Sequence, residues 1–497
     1  MQGRKDWLPK MMYQVHLDEL VPKNNFYRLL DRELDLHFLY KATEQYYGDE
    51  GQESIDPVVF FKICLVGYLN NINSDRKLIE YCSDSFAIRL YLKYDIDEAL
   101  PWHSTISRTR QLYGEEVFLS LFCKVLSMCV EKGMVSGKRQ AIDSAFIKAN
   151  ASLESLVSKE VLNDAVAYAD ELNNNSEYKV TSEKKKQIER RNHTHYSSTD
   201  PDARISTKPG KPKNLNYLGQ VAVDTSQHVI TGAMADFADK RDSQCLQNIV
   251  EQTSNNLLSN ALQIEEIVAD SGYSSGEALQ YCEKKNINAY IPNFGLYKPE
   301  REGFLYNEKL DQYECQRGNK ATLAFKGIRK RKNGPPYKLY MSSESGCKEC
   351  FLKEQCCGKK NKIKQLAHSV HKEFYDRMHK KLTENKIYAR RMSRLRSSTV
   401  EPVLGTLINF LNMKRVNTRG IDLTNKHVLM ASLTYNLKKY IKFISKKIVS
   451  QAIALQVEVK TFFSYCFTEF LLIFSRFKPI YLATKKTQIK LQYDSDC

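Results

Sequence analysis

Three acidic residues lie in settings that disfavour an acidic side chain. Asp143 lies within an apolar, strand-like run, Asp270 ends another short apolar run, and Glu401 is surrounded by basic and apolar residues. Each has an ordinary explanation by itself: an ion pair for Asp143, and capping of a turn or helix for Asp270 and Glu401. A lone buried carboxylate is costly, so a cationic group should face Asp143. If the three converge, they form the oxygen ligand set that Mg²⁺ prefers.

Five cysteines suggest a second candidate metal site. Cys347, Cys350, Cys356 and Cys357 follow the pattern C-x2-C-x5-C-C, and Cys315 lies upstream. Four thiolates can hold a structural Zn²⁺ ion, with Cys315, Cys347, Cys350 and Cys356 (or Cys357) as candidate ligands. The alternative is a reduced, cysteine-rich loop. The 13 cysteines of this long basic chain favour a reducing cytoplasm, where metal binding is more common than disulfide formation.

The positive charge of the chain is concentrated in one segment. The 497 residues include 75 Lys and Arg and 58 Asp and Glu, a net charge of +17. Residues 351–450 contain 23 Lys and Arg and 6 Asp and Glu, which accounts for the whole excess. A polyanion is therefore the expected partner, with a solvated helical face as the alternative. The 42% hydrophobic content excludes a wholly disordered chain.

The first part of the chain is predicted to be helical. Residues 1–135 contain apolar residues at helical spacing, and Asp56-Pro57 and Ser74-Asp75 are typical helix starts. Short helices with polar turns resemble a helix-turn-helix arrangement. A DNA-binding domain and a plain dimerisation domain both fit this pattern.

The next part is predicted to contain the catalytic sheet. Over residues 136–292 the order is three strands, a helix, a strand, a helix and a strand, which indicates a mixed α/β sheet flanked by helices. Asp143 lies in the first strand, and Asp270 ends the fourth, where α/β sheets gather ligand sites. Asp242 is interpreted as a helix cap. Residues 150–213 are polar and Lys-rich and are predicted to be a mobile loop.

The remainder of the chain is predicted to interrupt and then complete this sheet. Residues 293–385 are predicted to form an insertion that contains the five candidate zinc-binding cysteines. Residues 386–447 are predicted to complete the core. Basic helices are expected from about 368 to 398 and from about 402 to 415, because a proline at position 402 disfavours helix in the residue before it. An apolar helix follows, and residues 448–497 show no interpretable pattern.

Five separated motifs occur in order along the chain. They are Asp56-Pro57-Val58 with His103-Ser104-Thr105, Gln140-Ala141-Ile142-Asp143-Ser144, Asp200-Pro201-Asp202-Ala203-Arg204, Val268-Ala269-Asp270-Ser271-Gly272-Tyr273, and Val400-Glu401-Pro402-Val403-Leu404-Gly405 with Arg415 and Arg419-Gly420. With these motifs the chain resembles the DDE-type insertion-sequence transposases of the bacterial cut-and-paste kind. The resemblance covers residues 1 to about 445, and it implies an all-α N-terminal domain before a ribonuclease-H-like core with the catalytic triad Asp143, Asp270 and Glu401.

This resemblance also implies the reaction. Two Mg²⁺ (or Mn²⁺) ions, roughly 3.5–4 Å apart, would act in cleavage of DNA at the element ends and in strand transfer into target DNA. Asp143 is expected to bridge the ions, with Asp270 and Glu401 on one ion each. A homodimer or higher multimer is expected to join the ends. The alternatives are a catalytically decayed or domesticated DNA-binding protein, or a nuclease on the same core; the presence of all three carboxylates favours activity.

The basic residues near the triad are the expected DNA contacts, and they are Arg390, Arg391, Arg394, Arg396, Lys414, Arg415 and Arg419. Arg108 and Arg110 of the helical domain are expected to contribute sequence-specific recognition. Related enzymes commonly carry a Lys two helical turns after the Glu, where this chain has Ile408. The departure affects the expected contact with the terminal base, not the metal site.

The chain start lacks the apolar core of a secretory signal. The longest apolar stretch, residues 461–474, is too short to span a bilayer and contains Glu469. We therefore expect a cytoplasmic protein associated with the bacterial nucleoid, with no membrane partner.

Overall fold

A computed structural model describes residues 16–48, 54–159, 187–188, 190–207, 212–295, 297–318, 320–330, 335–358 and 361–446. The chain forms two compact units, Met1–Tyr440 and Ile441–Cys497. In the second unit, residues 441–446 are described and are helical. The tail 448–497 lies outside the described residues. None of the described helices is long and apolar enough to cross a membrane.

The N-terminal part of the first unit is helical, as the sequence predicts. The Asp56 side chain accepts a hydrogen bond from Val58 N at 2.7 Å and so caps the helix that Pro57 begins. Ser74 caps the next helix in the same way. The helices are Leu17–Leu20, Phe26–Glu33, Phe38–Thr43, Pro57–Leu69, Asp75–Ser83, Phe86–Leu92, His103–Leu112 and Glu115–Glu131. Phe60, Phe61, Tyr113 and Phe118 form an aromatic cluster at their centre.

A mixed sheet follows, with the order β4-β5-β1-β7-β8 and β6 also paired with β5. Strand β5 is antiparallel to β1, β4 and β6, whereas β7 is parallel to β1 and β8. The strands are β1 Arg139–Lys148, β2 Leu156–Ser158, β3 His195–Ser197, β4 Arg204–Ser206, β5 Asn214–Asp224, β6 Ile230–Phe237, β7 Glu266–Val268 and β8 Asn288–Tyr290. The helices Asp242–Leu258 and Gly276–Lys284 connect β6 to β7 and β7 to β8. This order and polarity form a ribonuclease-H-like sheet, as expected.

The expectation of a loop over residues 150–213 is wrong for part of the segment. Strands β2 and β3 pair with each other, and β4 extends the central sheet by pairing with β5. The Asn192 side chain holds β4 by accepting a hydrogen bond from Ile205 N and donating one to Ile205 O. Such three-residue strands are too short to show alternation, and they depend on contacts with distant residues.

A second sheet occupies the region predicted to be an insertion. It is antiparallel throughout, in the order β13-β12-β11-β10-β9. Its strands are β9 Phe304–Asn307, β10 Gln312–Cys315, β11 Thr322–Arg329, β12 Tyr337–Ser342 and β13 Gln365–Ser369. Tyr313, Leu323 and Tyr340 form its small core. Two short helices between β12 and β13, Glu344–Lys348 and Lys353–Cys357, carry Cys347, Cys356 and Cys357, and Cys350 lies between these helices.

The basic region forms two helices, Lys372–Glu384 and Lys386–Phe410, and the predicted break at Pro402 is absent. The second helix, which we name the Glu401 helix, continues through Pro402. Its residues Thr399, Val400, Val403, Leu404 and Leu407 are buried, and it packs against β1 and β5. Proline in a helix interior costs about 3 kcal/mol. Burial of this apolar face offsets that cost, which is why the local sequence rule fails.

The helix 421–440 begins with a cap supplied by distant residues. Asp200 accepts hydrogen bonds from Gly420 N and from the Tyr217 hydroxyl, and Asp202 accepts one from Ile421 N. A negative charge at a helix N-terminus is favourable because it meets unpaired N–H groups. The motif 200–204 therefore attaches this helix to the central sheet.

The same helix contacts the N-terminal helices through His427. Its Nδ1 lies 2.7 Å from the Tyr68 hydroxyl, and its Nε2 lies 3.0 Å from Asn412 O. Burial lowers the pKa of His427 to about 4. His368, which contacts Tyr313 and Tyr340 in the second sheet, also has its pKa lowered to about 4 by burial.

These two histidines predict acid destabilisation. In the unfolded chain each of these histidines has a pKa of about 6.5, whereas in the folded chain its pKa is about 4. The stability that the neutral histidines contribute is therefore complete above about pH 6.5. It is lost as the pH falls toward 4, by about 3 kcal/mol for His427. Thermal unfolding between pH 7 and pH 4 should show this decline, and His427→Gln should make it shallower. An unchanged slope in the variant would contradict the assignment to His427.

Candidate active site

Asp143 lies in the middle of β1, which is an interior strand of the sheet, and it faces Val221 in the pairing of β1 with β5. Strand β7 pairs with β1 only as far as Ala141, so Asp143 lies just beyond that pairing. Its Oδ2 lies 2.6 Å from Arg396 Nη1, and its Oδ1 accepts a hydrogen bond from Ser144 N at 2.8 Å. The expectation that a cation faces Asp143 is therefore met by Arg396.

Glu401 meets the same guanidinium. Arg396 Nη2 lies 3.0 Å from Glu401 Oε1, while Nη1 binds Asp143. The Arg396 side chain is 14% exposed, and that of Glu401 is 58% exposed. Arg396 thus joins two carboxylates that come from distant parts of the chain, and Glu401 keeps one side open to solvent.

Asp270 follows β7 and lies beside another carboxylate. Its Oδ1 accepts a hydrogen bond from Gly272 N at 2.8 Å, so it caps a short turn as well. A Cβ atom at Gly272 would lie 3.0 Å from Asp270 Oδ1 and 3.1 Å from Asp242 Oδ2. Both carboxylates therefore border the same point, and glycine at 272 leaves room for them.

The interpretation of Asp242 as a helix cap is wrong. Arg241 occupies the cap position, and Asp242 is the first residue of the helix. Its Oδ1 accepts a hydrogen bond from Ser144 Oγ at 2.6 Å, which turns the carboxylate toward β1 and Asp270. In the sequence, the only signal for this fourth acidic residue is its position at the start of a helix. Its neighbours in the folded structure come from other strands, so no local pattern identifies them.

The acidic cluster Asp143, Asp242, Asp270 and Glu401 is electrostatically strained. Burial raises the pKa of Asp143, and the nearby charges of Asp270 and Asp242 raise it further. The Ser144 N–H and the Arg396 charge act in the opposite direction. Such an all-oxygen set suits a hard divalent cation. Within the described residues, no three His, Cys, Asp or Glu side chains are positioned to hold an ion as they stand, and the Arg396 guanidinium lies between two of the carboxylates.

The five candidate cysteines line one cavity of about 230 Å³. Cys347 Sγ donates to Ser342 Oγ at 3.1 Å, and Cys315 Sγ donates to Arg317 O. Burial, together with the neighbouring Cys356 and Cys347, raises the pKa of Cys357 to about 11. The cysteines therefore share a cavity without forming a ligating group of three in the described residues. A bound zinc ion stays a prediction.

The predicted DNA contacts have different settings. Arg390, Arg391, Arg394, Lys414, Arg415 and Arg419 are exposed, as is Arg108. Arg390 and Arg394 precede Glu401 by eleven and seven residues, so they share its face of the helix. Other cations of the basic segment pair with acids, such as Arg377 with Glu283.

The assignment of Arg110 to DNA recognition is wrong. Its Nη1 and Nη2 bind the two Asp75 oxygens at 2.9 and 2.8 Å, and its side chain is only 13% exposed. Two parallel hydrogen bonds hold it inside the helical region. Arg110 is therefore a structural residue.

Two family descriptions match the chain. Residues 15–112 match a transposase domain (DUF772), and residues 314–441, which include Glu401, match a transposase DDE domain. Over these two ranges the chain is similar to the DDE transposases. Asp143 and Asp270 lie outside both matched ranges, so their roles rest on geometry and motif. A DDE transposase is a polynucleotidyl transferase and endonuclease that depends on divalent metal ions.

Solved transposase structures are only distantly similar to this chain. A piggyBac transposase in a synaptic complex with hairpin DNA matches with a TM-score of 0.32 and 9% identity, over 85% of this chain and 75% of that chain. The Mos1 transposase in a paired-end complex with the left transposon end gives 0.16 and 11%, over 53% and 67%. Likeness at this level carries no argument. No protein of curated function matches the chain.

The acidic cluster predicts metal-dependent stabilisation. An ion that binds only the folded state stabilises it, by about 2.7 kcal/mol at 100 times the dissociation constant. Mg²⁺ or Mn²⁺ should therefore raise the thermal midpoint of the wild type. Asp143→Asn and Asp270→Asn should reduce this shift, whereas Asp97→Asn, at an exposed position of the helical region, should keep it. Equal shifts in all four proteins would exclude the cluster as the ion site.

Proposed function

We propose that this transposase cleaves DNA at the ends of its element and joins those ends to target DNA, with Asp143, Asp270 and Glu401 as metal ligands. The observation that supports this assignment is the contact of one guanidinium, Arg396, with both Asp143 and Glu401. Asp270 and Asp242 add to the same negative potential. Carboxylates that repel one another are often found together at functional sites, where they bind a ligand.

The chain's own residues have separate tasks in this proposal. Asp143, central in the sheet, would be the ligand shared by two Mg²⁺ or Mn²⁺ ions, and Asp270 and Glu401 would each hold one of them. When bound, such ions lower the pKa of the attacking water or 3′-hydroxyl and stabilise the leaving 3′-oxygen. Arg396 is freed from the carboxylates and contacts the scissile phosphate. Asp242 and the Ser144 hydroxyl orient the strand that carries Asp143.

DNA binding follows from the exposed cations on either side of Glu401. Arg390, Arg391 and Arg394 neutralise phosphates on one side, and Lys414, Arg415 and Arg419 do so on the other. Each neutralised phosphate releases counterions, so affinity falls steeply with salt. Arg108 remains the proposed residue for sequence-specific recognition. A homodimer or higher multimer brings two ends together, and the protein acts in the cytoplasm, at the nucleoid.

The triad predicts a loss of cleavage without a loss of binding. Asp143→Asn, Asp270→Asn and Glu401→Gln should each reduce nicking of DNA that carries the element's terminal repeats, by a factor of about 10³ or more, because each removes a metal ligand. Binding to the same DNA should change little, because the phosphates meet other residues. The assay compares reactions with and without Mg²⁺ or Mn²⁺, with Asp97→Asn as the control. A wild type that binds the ends but never nicks them would instead indicate a decayed enzyme.

The cysteine cavity predicts about one zinc ion per chain. We propose Cys315, Cys347, Cys350 and Cys356 (or Cys357) as ligands, because tetrahedral thiolate sites are typical of Zn²⁺. Metal analysis of the purified protein should detect the ion, and Cys347→Ser with Cys350→Ser should remove it. Cys123→Ser, in the helical region, is the control. A zinc-free wild type with normal stability would leave a reduced loop as the answer.

A further inference from the structure

The Glu401 helix contains a glycine for which the fold offers no packing reason. Glycine inside a helix costs about 1 kcal/mol relative to alanine. A Cβ atom added at Gly405 would meet nothing within 4 Å among the described residues. Gly405 follows Glu401 by four residues, so both lie on one face of the helix. The free space is therefore next to the carboxylate cluster and opens outward.

One turn further along, this helix borders an open groove of about 790 Å³, which we name the Lys148 groove. Its walls are the end of β1, the end of the Glu401 helix, the segment 412–415, the loop after the helix Pro57–Leu69, and the end of β4 and start of β5 with the adjoining Thr207 and Pro212. Its lining residues are basic, amide, hydroxyl or apolar, and none of them is acidic. In a chain with 58 acidic residues, this composition points to an anionic occupant.

Three cations meet at the groove: Lys148, Lys414 and Arg415. Lys148 N donates to Lys414 O at 3.1 Å, and Val416 N donates to Lys148 O at 3.0 Å, so the backbone holds the three together. All three side chains are exposed. Arg415 donates to the Asn150 amide oxygen, and in the described part of the chain no acidic group pairs with any of the three. Their charges are available to a polyanion.

Asparagine side chains fix the shape of the groove. Asn71 donates to Asn409 O at 3.3 Å, Asn73 donates to Arg415 O at 3.0 Å, and Asn412 donates to Ile72 O at 3.0 Å. These bonds join the loop of the N-terminal helices to the end of the catalytic core. This wall of the groove is therefore ordered in the absence of a ligand, which reduces the entropy cost of binding.

We propose that the cut strand of the element end passes Gly405 and enters the Lys148 groove, where Lys148, Lys414 and Arg415 bind its phosphates. This inference rests on the proposed cleavage function and extends it to one DNA path. Glu401 and Ile408 are separated by about 10 Å along the helix axis, the length of about three nucleotides of a strand. Gly405 lies between them, so a side chain there would obstruct the backbone of the strand.

The element end, rather than target DNA, is the occupant we assign. The loop with Asn71 and Asn73 belongs to the helical region that also carries Arg108, the proposed sequence reader. In the proposed reaction, the end is cut before it is joined to target DNA. The DNA that is recognised by the helical region and cut at the carboxylates therefore has to pass this wall.

The first experiment distinguishes an effect on the groove from an effect on folding. Gly405→Ala should leave the thermal midpoint equal or higher, because alanine favours helix and its Cβ meets nothing. The same change should lower Mg²⁺-dependent nicking of terminal-repeat DNA about tenfold, and Gly405→Leu should lower it further. Asn255→Ala and Asn255→Leu, at an exposed position of the helix Asp242–Leu258, are the matched controls and should nick normally.

A charge test uses the three cations. Replacing Lys148, Lys414 and Arg415 together by Gln should reduce the slope of log affinity against log salt by about 2 to 3, since each phosphate contact contributes about 0.9. The control replaces three exposed lysines elsewhere: Lys124, Lys132 and Lys285.

The outcomes are distinguishable. Normal nicking by Gly405→Leu, together with complete loss in Glu401→Gln, would overturn the groove and leave the proposed function intact. A wild type without metal-dependent nicking would overturn the proposed function itself. If Gly405→Leu nicked the element end normally but joined it poorly to target DNA, the groove would be assigned to target DNA. This result would overturn our choice of occupant.

Discussion

The packing of one apolar helix face against the central sheet determines where the acidic residues meet. Val400, Val403 and Leu407 are fully buried on the Glu401 helix, and this burial carries the helix through Pro402. Because residues 400 and 401 point in different directions, burial of Val400 leaves Glu401 at the border of the sheet. Arg396, little more than one turn earlier, then reaches both Glu401 and Asp143. A helix that ended at Pro402 would place none of these groups reliably.

The carboxylate cluster is unfavourable for the folded protein by itself. Burial and mutual repulsion raise the pKa of Asp143, and one arginine offsets only part of this effect. A divalent ion carries twice the charge of a guanidinium and accepts several oxygen ligands at once. In the proposed function, the same repulsion that weakens the fold would favour the binding of a divalent ion. Glycine at 272 is part of this arrangement, since a side chain there would crowd the Asp270 and Asp242 oxygens.

Within the first unit, the N-terminal helices are joined to the core by buried polar contacts. Arg110 is held by Asp75, and Lys426 of the helix 421–440 donates to the carbonyl oxygens of Arg110 and Tyr113. The Tyr68–His427 contact and the asparagines of the Lys148 groove add further links. The helical region therefore forms one wall of the core rather than a separate module. In the proposed function, this continuity would present DNA that is bound by the helical region directly to the core.

The sequence by itself determined the elements of this protein and the residue types of its site. Asp56, Ser74 and the apolar, strand-like run of β1 are local signals, because helix caps and the residue pattern of a strand act within a few residues. The rule-breaking setting of Asp143 likewise revealed that a cation had to face it.

Only the tertiary structure decided which groups meet. It identified Arg396 as that cation, turned Asp242 from a cap into a neighbour of the cluster, and buried Arg110 against Asp75. It also carried a helix through Pro402 and made a strand of residues 204–206. These outcomes depend on contacts between residues far apart in the chain. Their energies arise from burial and charge in the packed molecule, and no local pattern encodes them.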